Sequence, residues 1–178
     1  ATIKFCGAQA LDDMGSPFQT NYPPEVYSEH PKTWDILQDQ RGIMYFANVN
    51  GVLEFDGANW RTIELPGKTT VRALALDSLG RIFVGAYGEL GYLKPDKKGR
   101  MRYNSLNHLI PEAHKPYYNV WNVDVIGNKV FFHTYQRIFK FDGQQIQVFQ
   151  LSGRNSEADF EAGFEYRGQY HVIAEGLG

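Results

Sequence analysis

Six residues of this chain combine side chains suited to holding a ligand with positions in loops: Tyr87, Glu89, Tyr118, Trp121, Tyr135 and Gln136. Flat aromatic rings stack on the apolar faces of sugar rings, while amides and carboxylates fix orientation through hydrogen bonds. Neighbouring loop positions add Asn48, Asn50, Lys68, Thr69, Tyr117, Arg154 and Asn155. Catalytic chemistry has far less to stand on. The chain has no Gly-x-Ser-x-Gly elbow, no phosphate-binding glycine loop and no His-Glu-x-x-His. His108, His114 and His133 are the nearest approach to a metal set, and their spacing brings no carboxylate to them. Asp35, Glu54 and Asp124 fall at different strand phases, so nothing pairs two carboxyls as a glycosidase requires. The expectation is therefore a binding protein that is not an enzyme and uses no metal or cofactor.

The six candidates run from position 87 to position 136, so only a fold can gather them. That fold is announced by a repeat. Asp39-Gln-Arg-Gly42-Ile-Met-Tyr45 recurs as Asp77-Ser-Leu-Gly80-Arg-Ile-Phe83, again around Asn128-Lys-Val-Phe131, and begins once more at Arg167-Gly168. The steps are 38 residues from Gly42 to Gly80, 48 from Gly80 to Asn128 and 40 from Asn128 to Gly168. An all-β unit of about 40–50 residues is the mark of a propeller blade.

Each copy reads as four short strands rich in aromatic and β-branched residues. Asp at the start of a turn and Gly at its end supply the tight reversal between the first two strands, with Asn128 standing for glycine in the third copy. Asp56-Gly57 and Asp142-Gly143 mark the later hairpins. The phase equates Tyr45, Phe83 and Phe131 as core. It also equates Leu53, Leu90 and Phe139, and Phe55, Tyr92 and Phe141. The expected architecture is an all-β propeller fragment of about three and a half blades, at 31–66, 69–104, 117–151 and, in part, 158–178. Residues 1–30 form a lead-in. Within it, Phe18 to Tyr22 has strand character and is expected to be loosely held or to pair with something foreign. The 104–116 connection has room for a helical turn before Pro111.

In such blades the connections between second and third strands, and between blades, share one face. That face carries the six candidates. The opposite face carries tight turns of Asp, Gly, Lys and Gln and reads as solvated.

Composition sets further bounds. The 178 residues are 43% hydrophobic and 15% aromatic, enough for a packed core. A formal charge of −2 argues against nucleic acid as a partner. No run approaches the ~18 apolar residues of a membrane span, so this segment is expected to make no membrane contact. The single Cys6 excludes an intrachain disulfide. Gly7-Ala8-Gln9-Ala10 fits a signal-peptidase site, but the charged and apolar stretches that precede one are missing, and an ordinary chain start is the alternative. The fourth copy stops early, so the chain reads as a piece of a longer protein. Aromatic and apolar residues near that end (Phe160, Phe164, Tyr166, Tyr170, Val172) predict self-association, as a two-fold dimer.

The first copy, Trp34-Asp-Ile-Leu-Gln-Asp39-Gln-Arg-Gly42 through Gly51-Val-Leu-Glu-Phe-Asp56-Gly57-Ala-Asn-Trp60, resembles the two-component-regulator propeller repeat. The likeness extends from about Pro17 onward and is weaker in the third copy, where His133 and Arg137 replace a small residue and glycine. The resemblance implies the periplasmic sensor region of a membrane-anchored bacterial regulator. It implies a triple-tyrosine immunoglobulin-like domain, a membrane span and an output module further along the same chain. It also implies a glycan or other small molecule as ligand. The alternative is a protein-interaction scaffold with no small ligand.

Overall fold

The computed structural model describes residues 20–150 and 160–174. The signal-like mark, Cys6, Phe18, Arg154 and Asn155 lie outside them. The described residues build three antiparallel four-stranded sheets and the first two strands of a fourth. The first sheet is β1 (Thr33–Gln38), β2 (Met44–Asn48), β3 (Gly51–Phe55) and β4 (Trp60–Ile63). The second is β5 (Val71–Leu76), β6 (Ile82–Ala86), β7 (Leu90–Pro95) and β8 (Met101–Ser105). The third is β9 (Asn122–Ile126), β10 (Lys129–His133), β11 (Arg137–Phe141) and β12 (Ile146–Gln150), and the fourth begins with β13 (Phe160–Tyr166) and β14 (Gln169–Ala174). In every four-stranded sheet the strands lie side by side in chain order, a meander. The chain is an all-β propeller fragment, and β1, β5, β9 and β13 are the strands through which successive blades meet.

Local chemistry explains the turns. The Asp39 carboxylate accepts from the backbone N–H of Arg41 (2.8 Å) and Ile43 (3.1 Å), and Gly42 turns at φ 83°. Asp77 repeats this with Leu79 (3.0 Å) and Arg81 (2.8 Å), ahead of Gly80. In the third blade the turn is shorter, and the left-handed residue is Gly127 (φ 60°), not Asn128.

Packing follows the period of two. Tyr45 and Phe83 are fully buried and Phe131 nearly so, each on the second strand of its blade. Tyr45 packs between blades one and two, Phe83 between two and three, and Phe131 against Phe160 of the fourth. The phase of the second blade's third strand needs correction. Register pairs Phe46 with Leu53, Val84 with Gly91 and Phe132 with Phe139. Gly91 and Leu93 therefore hold the places expected for Leu90 and Tyr92. The loop glycine Gly88 sits one position earlier than Gly51 does, which misleads alignment by glycine. Gly91 is required for a different reason: a Cβ there would collide with the Asn104 carbonyl oxygen and with the Tyr103 hydroxyl at 2.6 Å.

The described part of the lead-in, from Thr20 onward, is not loose. Thr20 to Tyr22 forms no strand, and the helix α1 (Pro24–Tyr27) follows. Tyr22 meets Phe55 and Trp60 at 5.1 and 5.6 Å between ring centroids, and Tyr27 meets Trp60 at 5.2 Å. Glu29 accepts from Asn50 (2.6 Å) and Thr62 (2.7 Å), and Asn48 donates to the carbonyl of His30 (2.6 Å). Aromatic burial and polar bonds together fix this segment on the outer face of the first blade. The connection before the third blade holds two single 3-10 turns, Asn107–Leu109 and Glu112–His114, and buries Leu106 and Ile110.

Candidate ligand-binding site

The site begins with an irregularity that recurs in the first strand of a blade. Pairing of β1 with β2 shifts between Thr33 and Asp35, β5 with β6 between Val71 and Ala73, and β13 with β14 between Phe160 and Ala162. The extra residues are Trp34, Arg72 and Glu161. A bulge frees its residue from the alternation of the strand and re-aims the side chain. Trp121, two residues before Val123, takes the same place at the entry to β9, where its N–H donates to the His133 carbonyl at 2.8 Å.

These places converge. The Arg72 guanidinium lies 3.7 Å from the centroid of the Trp34 ring and 5.0 Å from that of Trp121. Lys32 covers Trp34 at 4.0 Å. Trp121 continues to Tyr135, with centroids 5.5 Å apart. Arg72 Nε donates to Asn119 Oδ1 at 2.9 Å, Nη1 is buried with no partner among the described residues, and burial lowers the arginine's pKa. The charge is held by ring faces and one amide.

Beside this array is a cleft of about 130 Å³ lined by Tyr117, Tyr118, Asn119, Trp121, Thr134, Tyr135, Gln136 and Arg137. Four of the six sequence candidates meet there: Tyr118, Trp121, Tyr135 and Gln136. Tyr118 and Tyr135 are more than half exposed, as a stacking surface must be. Tyr87 adjoins the cleft through Tyr118, at 6.0 Å. Glu89 does not join it. Its carboxylate accepts from Tyr103 (2.8 Å), Ser105 (2.9 Å) and Asn107 (2.9 Å) and ties β8 to the connection that follows. Burial, with the Glu89 charge, raises the pKa of Tyr103 and keeps that phenol a donor. Asn48 and Asn50 are engaged by the lead-in, and Thr69 Oγ1 donates to the Tyr87 carbonyl at 2.7 Å. A second recess of about 280 Å³ shares Trp121 and Tyr135 as its wall and has Glu161 on its far side.

Sequence reasoning missed Trp34, Arg72, Asn119 and Arg137. A signal for the first two exists: each stands eight residues before its turn glycine, Gly42 or Gly80.

A larger cleft, of about 860 Å³, is elsewhere, bordered by the turns at Asp39–Arg41 and Gly80–Arg81 and by Phe141. Its arginines are already neutralised: Arg41 pairs with Asp39 (2.7 Å) and Arg81 with Asp77 (2.6 Å). The smaller cleft keeps donors and ring faces available, and it carries the functional argument. Among the described residues, no three His, Cys, Asp or Glu side chains come close enough to hold a metal ion.

The geometry defines a β-propeller with an aromatic, cationic cleft at the mouth of its inner strands. Solved structures with this fold include the extracellular domains of two putative hybrid two-component systems of B. thetaiotaomicron. That of BT3049 has 18% identity and TM-score 0.59, over 82% of this chain and 19% of its own. That of BT4673 has 17% identity and TM-score 0.53, over 70% and 17%. A streptogramin B lyase is similar at 21% identity and TM-score 0.51, over 71% of this chain and 43% of its own. The chain thus spans about a fifth of the length of the two sensor ectodomains. No family model matches the sequence, and no curated protein matches it.

Proposed function

We propose that this chain is the ligand-contacting part of an extracytoplasmic sensor propeller, and that it binds a glycan or a glycan breakdown product at the Tyr118–Trp121–Tyr135 cleft. One observation carries the reading: four aromatic residues and two amides from two separate loops line one cleft beside an arginine held between ring faces. Sugar sites are made from such parts. The fold shared with the BT3049 and BT4673 extracellular domains supports the sensor class and the location outside the cytoplasm. In this reading the propeller catalyses nothing, uses no cofactor, and passes occupancy to an output module in the same chain. Among the described residues, no helix is long and apolar enough to cross a membrane.

The test is thermal unfolding against a panel of oligosaccharides. A ligand that binds only the folded state at 100 times its Kd adds about 2.7 kcal/mol. The expected result is a midpoint that rises with concentration and that needs at least about 10-fold more ligand for the same rise in Trp121→Ala. A panel that moves nothing, together with retention of a protein partner, would establish the scaffold instead.

Self-association belongs to the same proposal. Of the residues expected on the open face, Phe164, Tyr166 and Val172 are exposed and Ile173 joins them, whereas Phe160 is buried and Tyr170 stacks on Phe131 of the third blade; among the described residues β14 has no strand on its outer edge. A second copy would cover this surface. Light scattering should give twice the monomer mass; a monodisperse monomer at high concentration overturns the idea.

A further inference from the structure

We infer that the ligand of this cleft is an acidic saccharide, bound through the carboxylate of a hexuronate that Arg137 receives while Arg72 positions the wall from behind. The inference rests on the proposed ligand-binding reading and narrows it to one chemical class.

The argument is one of charge left without a counterpart. Arg41, Arg61, Arg81 and Arg102 each pair with a carboxylate. Arg72, Arg100, Arg137 and Arg167 pair with none among the described residues, and of these four Arg137 alone lines the cleft. The 130 Å³ cleft contains no acidic side chain, although the protein as a whole is negative. Arg137 lines it directly. Its Nη1 reaches only the Pro116 carbonyl, at 3.4 Å, and its Nε is buried with no partner among the described residues. Arg72 is fixed behind the wall by Asn119 and Trp121, both of which line the cleft. Donors of guanidinium type match the planar, two-oxygen face of a carboxylate. The adjacent rings of Trp121, Tyr135 and Tyr118 would then take the apolar face of the pyranose. Glu161 lines only the recess beyond the Trp121–Tyr135 wall, so the charged end of the sugar is placed on the Arg137 side. The volume suits a carboxylate and its ring carbon, with the sugar ring resting on the exposed tyrosines.

The experiment is calorimetric titration of the protein with four probes: a disaccharide ending in hexuronate, its methyl ester, the neutral disaccharide of the same linkage, and an O-sulfated neutral disaccharide. The expected result is binding of the acid at least 10-fold tighter than its ester, weakening as salt is raised. Arg137→Gln should abolish the preference for acid over ester while leaving weak binding of the neutral sugar. Arg72→Lys keeps a charge but loses the stacked plane, and should lower affinity for the acid with unchanged circular dichroism. If Arg137→Gln fails to fold, Arg137→Lys with the acid-to-ester ratio gives the same reading. Equal binding of acid and ester, or binding of the neutral sugar alone, overturns the inference and leaves the sugar-sensor reading standing. Binding of the sulfated probe alone also overturns it, by replacing carboxylate with sulfate. No heat with any probe at millimolar concentration removes both readings.

Discussion

The two loop faces of this propeller use arginine in opposite ways. On the face of the Asp-to-Gly turns, Arg41 and Arg81 fold back onto Asp39 and Asp77, whose side chains are only 6% and 4% exposed. Each aspartate is also the acceptor for two backbone N–H groups, so the charges complete a turn. Burial pushes the Asp39 pKa upward, but bonds from Arg41 and the Arg41 and Ile43 backbones outweigh it and leave the carboxyl below its ordinary range. On the other face, Arg72 lies between Trp34 and Trp121 and meets one amide. The first arrangement stabilises the fold and leaves nothing to offer. The second offers donors and ring faces outward.

Substitutions can break this contrast. Asp77→Ala leaves two backbone N–H groups and the Arg81 guanidinium without their acceptor. It should cost about 2–3 kcal/mol in urea unfolding, with ligand affinity unchanged in the protein that remains folded. Trp121→Ala should do the reverse: affinity falls by about 1–3 kcal/mol in titration, as for a stacking anchor, with a smaller loss of stability. Equal effects of both substitutions on binding would erase the distinction between the faces. Glu89→Gln sharpens it. Because Glu89 serves Tyr103, Ser105 and Asn107, the change should lower stability by about 1 kcal/mol and leave affinity where it was. A loss of binding would return Glu89 to the site.

The smallest expected effect is a pH window. His133 is buried, and its Nε2–H donates to the Phe160 carbonyl at 3.1 Å, joining the third blade to the fourth. Burial, opposed by that bond and by Asp124, leaves its pKa below the ordinary 6.5. The unfolded chain therefore takes up a proton first, and stability should decline as pH falls below 6.5 until the folded histidine also titrates. Asp124 works the other way: burial raises its pKa above 3.8, so acidification through that range restores some stability. On the turn face, the depressed Asp39 contributes stability that is lost only below 3.8. Thermal midpoints across pH 3–8 should show the higher window vanish in His133→Gln and persist in Asp77→Ala.

The fold was legible because its turns announce themselves. Asp39 to Gly42 and Asp77 to Gly80 mark the blades, and Tyr45, Phe83 and Phe131 keep their phase from them. Legibility failed where a residue's partners lie far along the chain. Glu89 reads as a loop carboxylate until Tyr103, Ser105 and Asn107 return to it. The lead-in reads as stray until Trp60 and Phe55 are seen beneath Tyr22 and Tyr27. Arg72 reads as an ordinary strand arginine until its distance of eight residues from Gly80 is set beside that of Trp34 from Gly42. Tyr118, Trp121, Tyr135 and Gln136 were within reach because blade topology alone assigns their loops to one face.

The bulged position also bears on how such a protein can change. Across four blades the same geometric place holds tryptophan, arginine, tryptophan and glutamate, while its neighbours include the buried Val71, Ala73, Val120 and Phe160 and the half-buried Asp35 and Asn122. A side chain released from the pleat is released from the demands of the core. Such positions can trade charge for ring with the surrounding sheets left intact, although Arg72 touches both Trp34 and Trp121, so a change at one of these three is felt by the others. The inner rim is in that sense a row of linked sockets set on a fixed frame.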